Sequence, residues 1–356
     1  MTRKATLVAL AAVTTLSVLA TSAVAWGSSS FFGVVQGQPF TSRDYAQLGK
    51  TGTGTVRFGL IWNAVQPTRT GGYRWNAYDA KIGDLAAHGV RSFPTLSGSP
   101  PWVAKRQKSP PLGSKADRQA WRAFLAAAVN RYGRGGAYWK TTYPVQHPGK
   151  RPRPITEWQI WNEPNLAKFF PKKHASRNYA RLVKLSDKPI HQADRKAELV
   201  LAGMPAFIPP TADKFLGRLY RVKGFKGSFD AAALHPYAET MKKFTTSIKR
   251  LRNTLKRHHD KRKGLWLTEV GWGSRRHHGH LNKGPRGQKR LLKRSFGVSL
   301  HRRRKWHIEG VQWFDWRDPA RGGPAVCSFC DSAGLLKHKY GKKPAYKAYA
   351  RLAKRH

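Results

Sequence analysis

The chain has 356 residues, 40% of them hydrophobic and 12% aromatic, which is ample material for a core despite a formal net charge of +49. That apolar content excludes wholesale disorder, and two cysteines exclude a disulfide-knit miniprotein. The length fits two ordinary domains or a single (β/α)8 barrel of about 250 residues with insertions, so the pattern along the chain has to decide.

Residues 1–25 are set aside first. Thr2-Arg3-Lys4 is a short basic start, Ala5 to Ala20 is apolar, and Ala23-Val24-Ala25 puts small residues where a signal peptidase reads. The pattern predicts a signal peptide cleaved after Ala25, leaving 26–356 as one exported domain, secreted or associated with the cell envelope. A retained anchor is the alternative. Ala5 to Ala25 is just long enough to span a bilayer but lacks a basic stop-transfer flank. No later segment approaches the roughly 20 uninterrupted apolar residues of a membrane span.

Beyond Trp26, short β-branched or aromatic runs alternate with longer amphipathic stretches, the pattern of a parallel sheet with crossover helices. Strands are predicted at Phe31 to Val35, Thr55 to Ile61, Val90 to Leu96, Glu157 to Trp161, Leu199 to Met204, Phe229 to His235, Leu265 to Val270 and Ile308 to Phe314. Helices are predicted at Arg118 to Arg131, Tyr179 to Ile190, Lys214 to Tyr220, Lys242 to Lys256 and Gln288 to His301. Phe244, Ile248, Leu251 and Leu255 form one apolar stripe at helical spacing. Eight βα units without a Gly/Ser or Pro-repeat linker predict a single (β/α)8 TIM barrel. A doubly wound sheet is the runner-up, but Gly33-Val34-Val35-Gln36-Gly37 does not supply the GxGxxG turn it calls for.

In such a barrel, chemistry gathers where the strands end at their C-terminal side. The chain contains six glutamates, and Glu163 and Glu269 follow the fourth and seventh strands among tryptophans. Those strands oppose each other, so the two carboxylates are expected to meet over the barrel mouth. Opposed carboxylates about 5–5.5 Å apart perform retaining glycoside hydrolysis: one attacks the anomeric carbon while the other protonates the leaving oxygen and then deprotonates water.

Trp161-Asn162-Glu163-Pro164-Asn165 and Thr268-Glu269-Val270-Gly271-Trp272 resemble the acid/base and nucleophile motifs of the clan A retaining glycoside hydrolases. Val56-Arg57-Phe58 resembles the clan's second-strand arginine, and His235-Pro236-Tyr237 its sixth-strand His/Tyr region. Gly59 to Pro67, Pro100-Pro101-Trp102 and Ser332 to Tyr349 look most like family 39, with family 5 next. The resemblance implies that Glu269 is the nucleophile, Glu163 the acid/base, Asn162 the partner of a sugar 2-hydroxyl, and Arg57 the group that keeps the nucleophile ionised. It also implies that His235 and Tyr237 line the site, that Trp313 floors it, and that no cofactor is needed. Members of these families include β-xylosidases, α-L-iduronidases and endoglycosidases.

Sugars present apolar faces that stack on aromatic rings, so Trp102, Trp272 and Trp313 are expected to touch ligand. Trp62 and Trp316 are equally well read as packing beneath the loops. The partner is thus a carbohydrate. The excess of Lys and Arg, including Lys105, Arg106, Lys108, Lys168, Lys172, Lys173, Arg275 and Arg276 in mouth loops, fits an anionic glycan. The helices are as basic, and a solvated surface or retention on an anionic envelope explains the charge as well. No specific nucleic-acid binding is expected, because no zinc finger, RNP motif or basic zipper is present. His277, His278 and His280 lack a completing carboxylate or cysteine, so no metal is predicted. Cys327 and Cys330 are expected to form a disulfide in the exported setting. A silent glycan-binding protein on the same barrel and a transglycosylase are the rival readings. Sugar, linkage, endo or exo action and oligomeric state depend on loop and surface shape that no motif encodes.

Overall fold

The computed structural model describes residues 31–276, 279–320 and 327–356. The expected leader, 1–25, and His277 and His278 lie outside these residues. Eight strands alternate with eight main helices: β1 (Phe32–Val35), α1 (Ser42–Thr51), β2 (Thr55–Ile61), α2 (Asn76–Ala87), β3 (Arg91–Ser97), α3 (Lys115–Tyr132), β4 (Glu157–Ile160), α4 (Ala175–Ala193), β5 (Glu198–Pro205), α5 (Ala212–Leu219), β6 (Ala231–His235), α6 (Met241–Arg257), β7 (Gly264–Val270), α7 (Gly284–His301), β8 (Ile308–Trp313) and α8 (Pro344–Arg355). All neighbouring strands are parallel, and β8 returns to β1 through Phe32↔Val311 and Val34↔Trp313. The ring is therefore a closed (β/α)8 barrel, and the doubly wound alternative is excluded.

Two layers of apolar side chains hold it. Outside the strands, each helix turns one stripe inward; Phe244, Ile248, Leu251 and Leu255 of α6 are all fully buried. Burying side chains of this size contributes about 1.5–3 kcal/mol each. Inside, Phe93, Val200, Ala231, Ala233 and Trp266 form a separate cluster, with the Phe93 and Trp266 rings 4.8 Å apart. Gly310 makes room for that indole, because a Cβ there would stand 2.2 Å from Trp266 Cζ3.

Local chemistry sets the helix ends. Ser114 and Asp117 form a capping box on α3, with Asp117 N–H donating to Ser114 Oγ and Ser114 N–H to Asp117 Oδ2, both at 3.0 Å. Asp44 on α1 is fully buried, and it accepts from Trp316 Nε1 at 2.8 Å and Arg317 Nε at 3.2 Å. This contact ties the first βα unit to the segment after β8. Among the described residues, no helix is long and apolar enough to cross a membrane.

Candidate active site

Glu163 reaches the mouth through an unusual backbone exit from β4. Trp161 and Glu163 have φ of 69° and 42°, left-handed values that non-glycine residues adopt at a cost of about 1–3 kcal/mol each. The surroundings enforce them. Trp161 N–H donates to Leu96 O and its indole N–H to Phe169 O, both at 2.9 Å, while Glu163 N–H donates to Gly203 O at 3.1 Å.

Glu269 is aimed by a different device. The register of β7 against β8 shifts between Leu267 and Val270, so the strand carries an extra residue there. A bulge of this kind redirects a side chain that regular alternation would turn away. The two carboxylates, 7% and 9% exposed, converge with His235 so that one donor atom from each lies within 4.8 Å of the others.

Arg57, buried at 5% exposure, is the hub of the site. Its Nη1 donates to Glu269 Oε1 at 2.7 Å, its Nη2 to Asn162 Oδ1 at 2.7 Å and its Nε to Gln159 Oε1 at 2.6 Å. Because the guanidinium takes the Asn162 oxygen, the amide Nδ2 is the end left for a ligand acceptor. Tyr237 donates its hydroxyl to Glu269 Oε2 at 2.7 Å. His235 sets Nδ1 2.7 Å from Glu163 Oε1 and 3.5 Å from Glu269 Oε2. Its ring rests against Gly203, where a Cβ would come within 1.9 Å of Nε2.

These contacts make the two acids unequal. Burial pushes the Glu269 carboxyl up, but the charges of His235 and Arg57 and the hydrogen bonds from Tyr237 and Arg57 outweigh it, leaving the group below the ordinary glutamate value. Burial, followed by the neighbouring Glu269 charge, holds the Tyr237 phenol well above its ordinary value, so it remains a donor. Among the described residues, Glu163 has no guanidinium against it, and His235 is its side-chain partner. One carboxylate is therefore fixed as an anion between donors, and the other has the His235 imidazole as its hydrogen-bond partner.

Glu163, His235 and Glu269 also form a donor set of the size a metal would need. The chemistry of the set argues against a cation. Both Glu269 oxygens already accept hydrogen bonds, and the adjacent guanidinium repels positive charge.

The structure thus brings Glu163, Glu269, Asn162, Arg57, His235 and Tyr237 together. The expectation for two tryptophans is corrected. Trp272 and Trp313 are fully buried, their indole N–H groups donating to Ala238 O at 2.7 Å and Ala333 O at 3.0 Å. Their rings lie 6.0 Å apart, and Trp272 packs 6.1 Å from Phe244 of α6, so they belong to the layer between strands and helices. Trp62 and Trp316 are core as well. Trp102 is half-buried, edge-on to Trp62 at 5.3 Å with the Arg69 guanidinium 5.0 Å from its ring centre.

Two site residues were missed in the sequence. Gln159 accepts from Arg57 and from Thr95 Oγ1 and donates to Leu201 O, locking the hub from below. Strand alternation from Glu157 could have found it. Phe314, half-buried, lies 6.1 Å from Tyr237 and takes the mouth position expected of Trp313. A slip of one residue in a strand exchanges its faces. Cys327 and Cys330 are joined by a disulfide, and His280 is exposed.

Comparison with solved structures finds the same architecture. A family 39 glycoside hydrolase from the gut symbiont Bacteroides cellulosilyticus aligns with a TM-score of 0.66 at 20% identity, over 92% of this chain and 64% of that one. A monomeric beta-xylosidase from Caulobacter crescentus aligns at 0.65 and 17% identity, over 91% and 68%. A GH5_18 protein from Bifidobacterium longum subsp. longum, in complex with Manb1-4GlcNAc, aligns at 0.62 and 15%, over 88% and 72%. This chain spans less than two thirds of the length of the first of these proteins. No family model and no curated protein matches the sequence. At these identities the likeness carries the fold: the chain is built on the (β/α)8 barrel found in family 39 and family 5 glycoside hydrolase structures.

Proposed function

We propose that the protein is a retaining glycoside hydrolase. The observation that carries this reading is the pair of mouth carboxylates, with an oxygen of Glu163 within 4.8 Å of an oxygen of Glu269. That separation belongs with the spacing of about 5–5.5 Å used in retention, and is well short of the roughly 6.5–9.5 Å that leaves room for an inverting water. In this mechanism Glu269, ionised between Arg57 and Tyr237, attacks the anomeric carbon. Glu163 gives its proton to the departing oxygen, so the leaving group departs neutral and a glycosyl ester forms on Glu269. Glu163, now a carboxylate, removes a proton from water as the water attacks the ester, which returns both groups to their starting states. Asn162 Nδ2, oriented by Arg57, is placed to donate to a hydroxyl of the reacting sugar.

An acidic glycan is the substrate class favoured by the local charge. Lys108 and Lys168 line a cavity of about 210 Å³ that also includes Asn162, and no carboxylate lines it. Export through the 1–25 leader, followed by retention on an anionic envelope, is part of the same proposal. It rests on the leader pattern and the net charge of +49. The test is a panel of aryl glycosides with neutral and acidic polysaccharides. Glu269→Ala and Glu163→Ala are each expected to lower turnover by at least about a hundredfold while retaining polysaccharide binding. Turnover equal to the parent in the double variant rejects the mechanism, and binding without released reducing ends favours the silent glycan-binding reading. A large excess of sugar transfer over hydrolysis when an acceptor is added would identify a transglycosylase.

A further inference from the structure

The Cys327–Cys330 disulfide closes a loop of only two intervening residues, Ser328 and Phe329, in the segment after β8. Its position gives it a role that spacing alone does not supply. Phe329 is 4% exposed, and its ring meets the Tyr237 ring at 5.1 Å with a 62° tilt and the Phe314 ring at 6.3 Å. Phe314 in turn stands edge-on to Tyr237 at 6.1 Å. The phenol that donates to the Glu269 carboxylate is therefore held on two sides by aromatic rings, one of them presented by the disulfide loop.

Other bonds fix the loop against neighbouring elements. Cys330 N–H donates to Cys327 O at 3.3 Å, Ser332 N–H to Phe329 O at 3.1 Å, and Asn282 Nδ2 to Ser328 O at 2.9 Å from the segment after β7. Ser328 and Tyr237 line one cavity of about 380 Å³. Edge-to-face ring pairs contribute about 0.5–1.5 kcal/mol beyond their burial, and small displacements of reacting groups cost disproportionately in rate.

We propose that Phe329, clasped by the Cys327–Cys330 disulfide, is a positioning residue that holds Tyr237 against the nucleophile Glu269. The proposal rests on the glycosidase reading of the site. It makes catalysis depend on a disulfide that touches no reacting atom. Reduction by a dithiol transfers two electrons and two protons to the cystine, yielding two protein thiols and the cyclic disulfide of the reagent, and frees the loop that carries Phe329.

The probe is the 4-nitrophenyl glycoside that the parent protein hydrolyses fastest in a panel. Phe329→Ala is expected to lower kcat/KM about tenfold and to move the acid limb of its pH profile upward, because a weakened Tyr237 hydrogen bond stabilises the Glu269 anion less. Phe329→Tyr is expected to restore most of the rate. In a Tyr237→Phe background, Phe329→Ala is expected to cost less than about twofold, since its effect passes through the phenol. Dithiothreitol is expected to lower parent activity reversibly and to leave the Cys327→Ala/Cys330→Ala protein, already slowed, unaffected. Near-ultraviolet circular dichroism confirms that each variant is folded. An unmoved acid limb, an additive loss in the Tyr237→Phe background or parent activity indifferent to dithiothreitol overturns the positioning role. If Glu269→Ala matches the parent, or the parent hydrolyses no glycoside, the glycosidase reading itself fails and the proposal with it.

Discussion

Arg57 couples three site groups at once, and its replacement separates electrostatics from shape. It donates to Glu269, Asn162 and Gln159 from one planar guanidinium, a fork that lysine cannot reproduce. Arg57→Ala removes a positive charge that holds the Glu269 carboxyl below its ordinary value, so that value rises and the carboxylate proposed as nucleophile protonates at higher pH. The acid limb of kcat/KM is expected to move upward, with a loss of about a hundredfold at the optimum. Arg57→Lys keeps the charge but not the fork, so it is expected to move the limb less while still losing rate through Asn162. A pH–rate series across the three proteins measures both effects; an unmoved limb in Arg57→Ala contradicts the role assigned to the guanidinium. At this scale the sequence was informative for charged groups and poor for rings. A glutamate at the C-terminal end of a barrel strand has few uses besides chemistry, whereas a tryptophan serves the core as readily as a sugar, and burial of Trp272 and Trp313 is a property of the assembled layers.

Among the elements, the strand pattern was legible because β-branched and aromatic runs alternate with helical stripes, and the expected strands lie within a few residues of the observed ones. The register shifts of β7 were not legible. They depend on how β7 and β8 fit together, and they separate the expected position of Trp313 from the observed mouth position of Phe314. The opposite end of the barrel holds a second acidic group that the sequence reading left unused. Glu198 on β5 is pushed up to about 10 by burial, then by the neighbouring charges of Glu309 and Glu157, and Trp266 Nε1 donates to its Oε1 at 3.3 Å. The sign follows from linkage. The folded protein keeps a proton that the unfolded chain releases near the ordinary glutamate value of 4.5, so this stabilisation is fully present below that pH and is lost progressively as pH rises toward about 10. Glu198→Gln retains the neutral hydrogen-bonding shape without the ionisation. It is expected to flatten the fall in Tm between neutral and alkaline pH; a slope as steep as the parent's contradicts the assignment.

Taken as a whole, the molecule concentrates its six glutamates while spreading its cations. Glu163 and Glu269 meet at the mouth, Glu157, Glu198 and Glu309 cluster at the far end, and Glu239 lies beside Lys243 at 2.9 Å. Closure of the barrel creates both acidic centres, because it joins residues more than a hundred positions apart: Glu163 just after β4 with Glu269 on β7, and Glu157 on β4 with Glu309 on β8. The lysines and arginines cover helices and loops alike, which is why charge named no cleft and the carboxylates did. In the proposed mechanism these two mouth carboxylates act in turn on one anomeric centre. Time-resolved proton NMR of the first sugar released from an aryl glycoside reads the outcome. Double displacement predicts that the initial product has the same anomeric configuration as the substrate, before mutarotation; an initial product of inverted configuration would contradict it.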